Sequence, residues 1–344
     1  MILALLTLSA TASAQNFLKR AMAAYLAIDS TCVEPQRYWF TAMLQATTHS
    51  ETYRIEDGDG RVLKVAPDHA FKIGPYVGYD WIVVGYQWDA FSGKARNNSE
   101  LSTNLYLPIG WIDIYSRRNT NEFNIKGMHI PGAAQINTSG MQFEGLKTSV
   151  LGVNLFYVLN HRRYSVRAAY SQTTRQLQSK GSWIFGLGYN RQKVSLDYDM
   201  FRQSIAEYFG EAAASQVDTA RHHTSGAFRY VSLSGGYGYN WVFAPNWVLN
   251  ATGMLSVGYI HHLDVNYNGN DLYISQMNLS ALNKLKVDAT LRFGLVWNNS
   301  RWYAGATAIV HGYEFNVKEI KMFNQYGTFH VYAGMNFDIG KRHR

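Results

Sequence analysis

Long stretches of this chain alternate, residue by residue, between apolar and polar side chains. From Val287 to Trp297 the odd positions are Val, Ala, Leu, Phe, Leu and Trp, and between them stand Asp288, Thr290, Arg292, Gly294 and Val296. From Phe329 to Ile339 the odd positions are Phe, Val, Ala, Met, Phe and Ile, separated by His330, Tyr332, Gly334, Asn336 and Asp338. Val231 to Trp241 and Trp247 to Tyr259 repeat the pattern. Side chains two apart share one face of a strand, so each segment predicts a strand with one greasy and one polar face. At about 10 residues or more, these strands exceed the usual soluble length of about 5–6. They match the roughly 9–11 residues of a tilted strand that crosses a bilayer.

The connections give a second, independent pattern. Short turns are predicted near Asp80, near Ile109–Gly110, at 159–163, at 190–192, around 242–246 and at 298–301. Between them fall longer polar stretches at about 56–69, 90–99, 118–146, 172–180, 201–228, 261–283 and 316–326. Alternating short and long connections are the pattern of a transmembrane antiparallel up-and-down β-barrel. The scheme gives about 14 strands, with twelve the alternative, and both termini on the short-turn side. The stretch 201–228 has helical composition and is expected to carry a short helix. Closure follows from chemistry, because no water is present in hydrocarbon to satisfy a free sheet edge.

A soluble barrel or sandwich would show the same alternation with its apolar face inward. Aromatic placement favours the membrane. Trp81, Tyr164, Trp247 and Trp302 each start a strand after a short turn, with Trp111 comparably placed. Trp297 and Trp302 flank the four polar residues Asn298 to Arg301. These six aromatics are the expected interfacial girdle, where an apolar ring with a polar edge is well accommodated. Arg or Lys facing lipid near midplane costs about 2–4 kcal/mol, so Arg292 is expected to point inward. Asp288 lies on the same face, and the two are expected to offset each other in the lumen. His330, Asn336 and Asp338 complete the expected lumen lining.

The first fourteen residues, MILALLTLSATASA, carry no charge and end in a small-x-small pattern. They are expected to be a cleaved signal peptide, too short for a bilayer-spanning helix. Residues 15–37 then form an N-terminal periplasmic segment, 38–340 an outer-membrane β-barrel, and 341–344 a solvated basic tail. Composition agrees: 24 Tyr, 17 Phe and 9 Trp, with 29 Gly against 6 Pro, suit strands and tight turns. The single cysteine, Cys32, excludes an internal disulfide and reads as structural. The net charge of +8 comes without the spaced basic and aromatic residues of a nucleic-acid surface, and fits anionic lipid or envelope polymers.

Several stretches together resemble a known family. VEPQRYWFTAMLQ (33–45), FKIGPYVGYDWIVVGY (71–86), GVNLFYVLNHRRYS (152–165), SLSGGYGYNWVFAPNWVL (232–249) and FGLVWNNSRWYAGA (293–306) are similar to the Bacteroidota outer-membrane barrels of domain of unknown function 4421. The resemblance implies an outer-membrane barrel and brings no reaction, substrate or catalytic residue. The last strand, with Gly334, Phe337 and Ile339, also resembles the C-terminal assembly signal of such barrels, although a polar tail follows it.

Signals for chemistry are few. No Gly-x-Ser-x-Gly occurs. His161, His261, His311 and His330 could serve as bases, and read better as lumen or loop residues. The pairs His222-His223 and His261-His262 lack a carboxylate or cysteine at metal-ligand spacing. GGYGYN (235–240) continues a strand and precedes no phosphate-binding helix. Asp197 and Asp199 would share a strand face. No catalytic residue, metal or cofactor is expected. The expected partners are outer-membrane lipid and lipopolysaccharide, and the barrel-assembly machinery during insertion, with no nucleic acid. The leading functional reading is a pore or passive transporter for small polar solutes. The alternatives are a plugged barrel that binds partners through its loops and a lipid-modifying barrel enzyme.

Overall fold

The computed structural model describes residues 27–56, 60, 62–68, 70–79, 82–90, 99–120, 123–129, 141–143, 145–215, 222–267, 270–273, 285–317 and 320–339. Most of them are strand, and the strands close on themselves as an antiparallel barrel. The wall is built from β2 (Phe40–Glu56), β4 (Ala70–Tyr79), β5 (Ile82–Gly85) continued by β6 (Trp88–Asp89), β7 (Ser99–Leu107), β8 (Gly110–Thr120) and β11 (Leu146–Val158). It continues through β13 (Lys180–Asp197), β14 (His223–Ala244), β15 (Trp247–Tyr267), β17 (Leu285–Asn298), β18 (Trp302–Val317) and β19 (Ile320–Phe337). The last strand closes on the first, with Phe337 opposite Phe40 and Lys321 opposite Glu56. Among the described residues, with β5 and β6 taken as one stave, this circuit has twelve.

Two features of the fourteen-strand scheme fall away. The expected turn at 190–192 is uninterrupted strand, with Asn190, Arg191 and Gln192 in register with Tyr230, Arg229 and Phe228. The expected strand after the 159–163 turn leaves the wall altogether. It forms a short helix, α1 (Val166–Tyr170), and a strand, β12 (Thr174–Gln176), which pairs with β1 (Val33–Pro35). The connections expected at 261–283 and 316–326 are also partly strand: β15 runs to Tyr267 and pairs with β16 (Asn270–Tyr273), while β18 and β19 reach Val317 and Ile320. Backbone pairing extends these hairpins past the point where the hydrophobic pattern ends.

The alternation sorts as a membrane wall requires. On β17, Leu285, Val287, Leu291, Phe293 and Leu295 are exposed, while Lys286, Asp288 and Arg292 are buried. β11 exposes Leu151, Val153, Leu155 and Tyr157, and β13 exposes Trp183, Phe185, Leu187 and Tyr189. The greasy face is outside and the polar face inside, the reverse of a soluble barrel. Among the described residues no helix is long and apolar enough to cross a membrane.

The stretch around 298–301 forms a tight turn held by its own asparagines. Asn298 Oδ1 accepts from Ser300 N at 2.8 Å, and Asn299 Oδ1 accepts from Trp302 N at 2.7 Å. Ser300 takes a positive φ of 78°. Asn336 Nδ2 donates to Ser300 O at 2.8 Å and ties the turn to the last strand.

At the opposite end the long connections carry structure of their own. β3 (Val62–Pro67) pairs with the top of β2 and with β9 (Phe123–His129), which pairs with β10 (Gln142–Phe143). The expected helix in 201–228 is α2 (Tyr198–Phe209), followed by α3 (Glu211–Ala214). α2 starts three residues earlier than expected because Asp197 caps it, its carboxylate accepting from Asp199 N and Met200 N. Asp197 and Asp199 therefore lie at a strand end and in a helix, and do not share a strand face.

Candidate functional site: a filled lumen

The inward side chains of the wall meet inserted segments at both ends. At the short-turn end, residues 159–179 fold into the barrel. Asn240 Nδ2 donates to Ser165 O and to Gln176 Oε1, both at 2.9 Å, and Tyr170 OH donates to Asn250 Oδ1 at 2.6 Å. Gln172 Nε2 donates to Tyr332 OH at 2.6 Å, while Asn298 Nδ2 donates to Gln172 O at 3.4 Å. β14, β15, β17 and β19 thus all grip the insert. Gly238 makes the seat possible, since a Cβ there would come within 2.3 Å of Tyr164 Oη. Cys32 is buried beside this insert, and its carbonyl accepts from Leu177 N at 2.8 Å, in keeping with a structural role.

At the long-loop end the lumen is apolar. Val65, Phe123, Phe143 and Ile205 come from β3, β9, β10 and α2, and pack on inward Leu146, Phe228 and Tyr230 of the wall. Burying this surface stabilises the mouth at about 25 cal/mol per Å² removed from water. Strands that begin as loops between staves therefore end as a core inside the barrel.

Between the two plugs lies a polar layer in which every described cation has a specific partner. Arg117 reaches Glu51 at 3.4 Å and stacks over Tyr326, 3.4 Å from its centroid. Glu51 is further held by donation from Tyr53 OH at 2.8 Å and Asn119 Nδ2 at 2.6 Å. Lys286 Nζ donates to Gln192 Oε1 at 3.2 Å and lies 3.5 Å from Asp288. Arg292, 2% exposed, lies 3.5 Å from Asp113, donates to Tyr106 OH at 3.0 Å, and sits 4.9 Å from the Trp111 ring centroid. Arg292 and Asp288 are both buried on the inner face. They do not offset each other: Arg292 uses Asp113, and Asp288 uses Lys286.

Beside this layer is a chamber of about 440 Å³, bordered by Arg117, Arg292, His49, His311, His330 and a group of tyrosines. Leu101 to Tyr106, six consecutive residues of β7, also border it. His330 accepts at Nδ1 from Gln45 Nε2 at 3.1 Å and lies 2.9 Å from Thr47 Oγ1; His311 Nδ1 is 3.0 Å from Thr290 Oγ1. Asn336 is buried at the 298–301 turn, and Asp338 Oδ1 accepts from Trp39 N at 2.8 Å just beyond the strand. The sequence missed Glu51, Asp113, Arg117 and Lys286. Their signal was present, since each occupies the polar phase of its strand.

The aromatics of the expected girdle do not all lie on one face. Trp247 and Trp302 are exposed on the outer face, and Trp297 is half-buried on the same face opposite Trp247. Trp111 instead faces the lumen, 2% exposed, stacked on Phe156 at 4.5 Å. Asp113 and Arg117 share its strand face, which carries the polar phase inward. Tyr164 is buried in the insert, where its hydroxyl accepts from Asn250 Nδ2 at 2.9 Å. Trp81 and the signal segment 1–14 lie outside the described residues, as does the tail 341–344. Tyr79, Trp183, Trp241 and Phe243 complete the outward belt at this end.

No described trio of His, Cys, Asp or Glu could hold a metal. His262 pairs with Asp264 at 3.0 Å and His222 lies 3.1 Å from Asp199. One Ser–His pair does come within reach: Ser195 Oγ and His223 Nε2 are 3.3 Å apart on the exposed long-loop rim.

A search of the curated proteins finds no match. Among solved structures, the translocator domain of autotransporter NalP from Neisseria meningitidis is 11% identical, over 96% of this chain and 97% of that one, with a TM-score of 0.29. The P. putida toluene transporter TodX is 10% identical, over 88% and 91%, with a TM-score of 0.25. The outer membrane protein OprG from Pseudomonas aeruginosa is 8% identical, over 89% and 99%, with a TM-score of 0.23. Likeness at this level carries no argument about what this chain does. Residues 27–337 match the model of the family described as Domain of unknown function (DUF4421), and the chain belongs to that family.

Proposed function

We propose that this DUF4421 chain is a plugged outer-membrane barrel that binds in its interior and at its long-loop end, and does not conduct solutes freely. The observation that carries this reading is the insert 159–179, hydrogen-bonded to four wall strands across the short-turn end. The apolar core at the other mouth supports it. Termini and short turns face the periplasm, and the long connections face outward. The chamber's tyrosines, histidines and amides suit a small hydroxylated or weakly anionic solute. Outer-membrane lipid surrounds the barrel, and the barrel-assembly machinery inserts it.

Liposome swelling tests this reading. Proteoliposomes of the native chain should not swell faster than protein-free vesicles in small sugars. Replacing 166–176 with a short Gly/Ser linker should raise swelling by about tenfold or more, as removal of a seal predicts. Rapid swelling with the native chain would return the pore reading to first place.

A second reading, a lipid-modifying barrel, is favoured by the Ser195–His223 pair, because a hydroxyl within reach of an imidazole is the minimum for an activated nucleophile. Hydrolysis of phospholipid vesicles by the native chain and its loss in Ser195→Ala would establish it; no hydrolysis would end it.

A further inference from the structure

The outer face of β8, β11, β13 and β14 changes character abruptly toward the long-loop end. Read across the strands, Val153, Tyr189 and Val231 form one apolar row. The next row, two residues on, contains Leu151, Arg191 and Arg229. Beyond it come Arg118, Ser149 and Lys193, and then Lys147 and Ser195. Five cations thus occupy three successive rows of four neighbouring strands, a patch roughly 15 Å across at ordinary strand and residue spacing. Arg118, Lys147, Arg191 and Lys193 are exposed, and Arg229 is half-buried. Among the described residues none of the five side chains makes a hydrogen bond or ion pair. The acid beside them in register, Asp264, lies opposite Ala227 and is engaged by His262.

Two observations make this more than a wet rim. Arg191 and Arg229 stand directly opposite each other on adjacent strands, and like charges so placed repel. A bound anion between them converts that repulsion into attraction, and guanidinium groups match phosphate oxygens in pairs. The patch also begins one row above Tyr189 and Val231, with exposed Leu187 and Leu233 below. A ligand held by these cations can lay hydrocarbon along that surface without a break.

We propose that this patch binds the phosphorylated headgroup of a lipid in the leaflet beside the long-loop end, its acyl chains lying over Val153, Tyr189, Val231 and Leu233. The lipid would neutralise the Arg191–Arg229 pair and fix the depth of the barrel in the bilayer. This site is on the outer wall and does not depend on whether the lumen is closed.

Native mass spectrometry of the full chain in detergent tests it, with diphosphoryl lipid A as probe and the same glycolipid without phosphates as control. The native barrel should retain the phosphorylated lipid at least about tenfold better than the control, as charge-assisted bonds require. The triple change Arg191→Gln, Lys193→Gln, Arg229→Gln should abolish that preference while the heat-dependent gel shift of a folded barrel persists. Inorganic phosphate in millimolar excess should not displace the lipid. Equal retention of both lipids, an unchanged preference in the folded variant, or displacement by inorganic phosphate alone would each overturn the proposal. If the triple variant does not fold, Arg191→Gln alone decides: a loss of preference of about threefold or more supports the site and no loss refutes it.

Discussion

Arg292 concentrates the local physics of this barrel. A guanidinium this deeply enclosed is stable only with a carboxylate and several ring faces around it, and Asp113, Tyr106, Trp111 and Tyr170 provide them. Arg292→Gln leaves Asp113 a buried, unpaired charge and should lower unfolding stability by about 3–5 kcal/mol, read from denaturant unfolding of the barrel in lipid vesicles. Trp111 and Trp302 make the complementary pair. With only one tryptophan retained, a chain keeping Trp302 should be quenched by brominated lipid, and one keeping only Trp111 should not. Strong quenching of Trp111 would put its ring on the lipid side and undo the inward assignment. At Ser300, where φ is 78°, Ser300→Gly should stabilise the turn by up to about 1 kcal/mol, because glycine carries no penalty there. Ser300→Val should weaken it in the same unfolding measurement.

Elements show where the amino-acid pattern can and cannot be read. The faces of β14, β15, β17 and β19 were legible because strict alternation over ten or more residues leaves one phase for lipid and one for the lumen. The insert was not legible. Tyr164 to Gln172 contains apolar residues at spacings that suit a strand, and the signal that separates them, burial on all sides of Val166, Ala168 and Ala169, is tertiary. The polar run Asn190-Arg191-Gln192 looks like a turn for a related reason: Asn190 and Gln192 are buried in the lumen and Arg191 is exposed on the outer face, so strand pairing runs on through three polar residues. α2 offers a test of its own. Asp199, close to His222 and Arg202, has its carboxyl held below the usual range, first by the His222 hydrogen bond. A lowered folded pKa means that this tie is fully present above the unfolded value of about 3.9 and is lost as pH falls through the folded one. Limited proteolysis should therefore find 198–215 protected at pH 5 and cleaved faster once the pH is well below the unfolded value, with Asp199→Asn showing no such difference between the two.

For the whole molecule, the wall and its contents answer different demands. The wall exposes leucine, valine and aromatic side chains to hydrocarbon and must close, because an open edge would leave backbone groups unsatisfied. The contents then face the problem of any protein interior: each inward charge needs a partner, and each end needs a filling. Arg117 with Glu51, Lys286 with Asp288 and Arg292 with Asp113 meet the first demand. The insert 159–179 and the mouth core built around Val65, Phe123 and Phe143 meet the second. Single-channel recording in planar bilayers tests this closure most directly. The native chain should insert without discrete conductance steps across both polarities, and the chain with 166–176 replaced by a Gly/Ser linker should show them. Steady open-channel steps from the native chain, unchanged by loss of the insert, would contradict it.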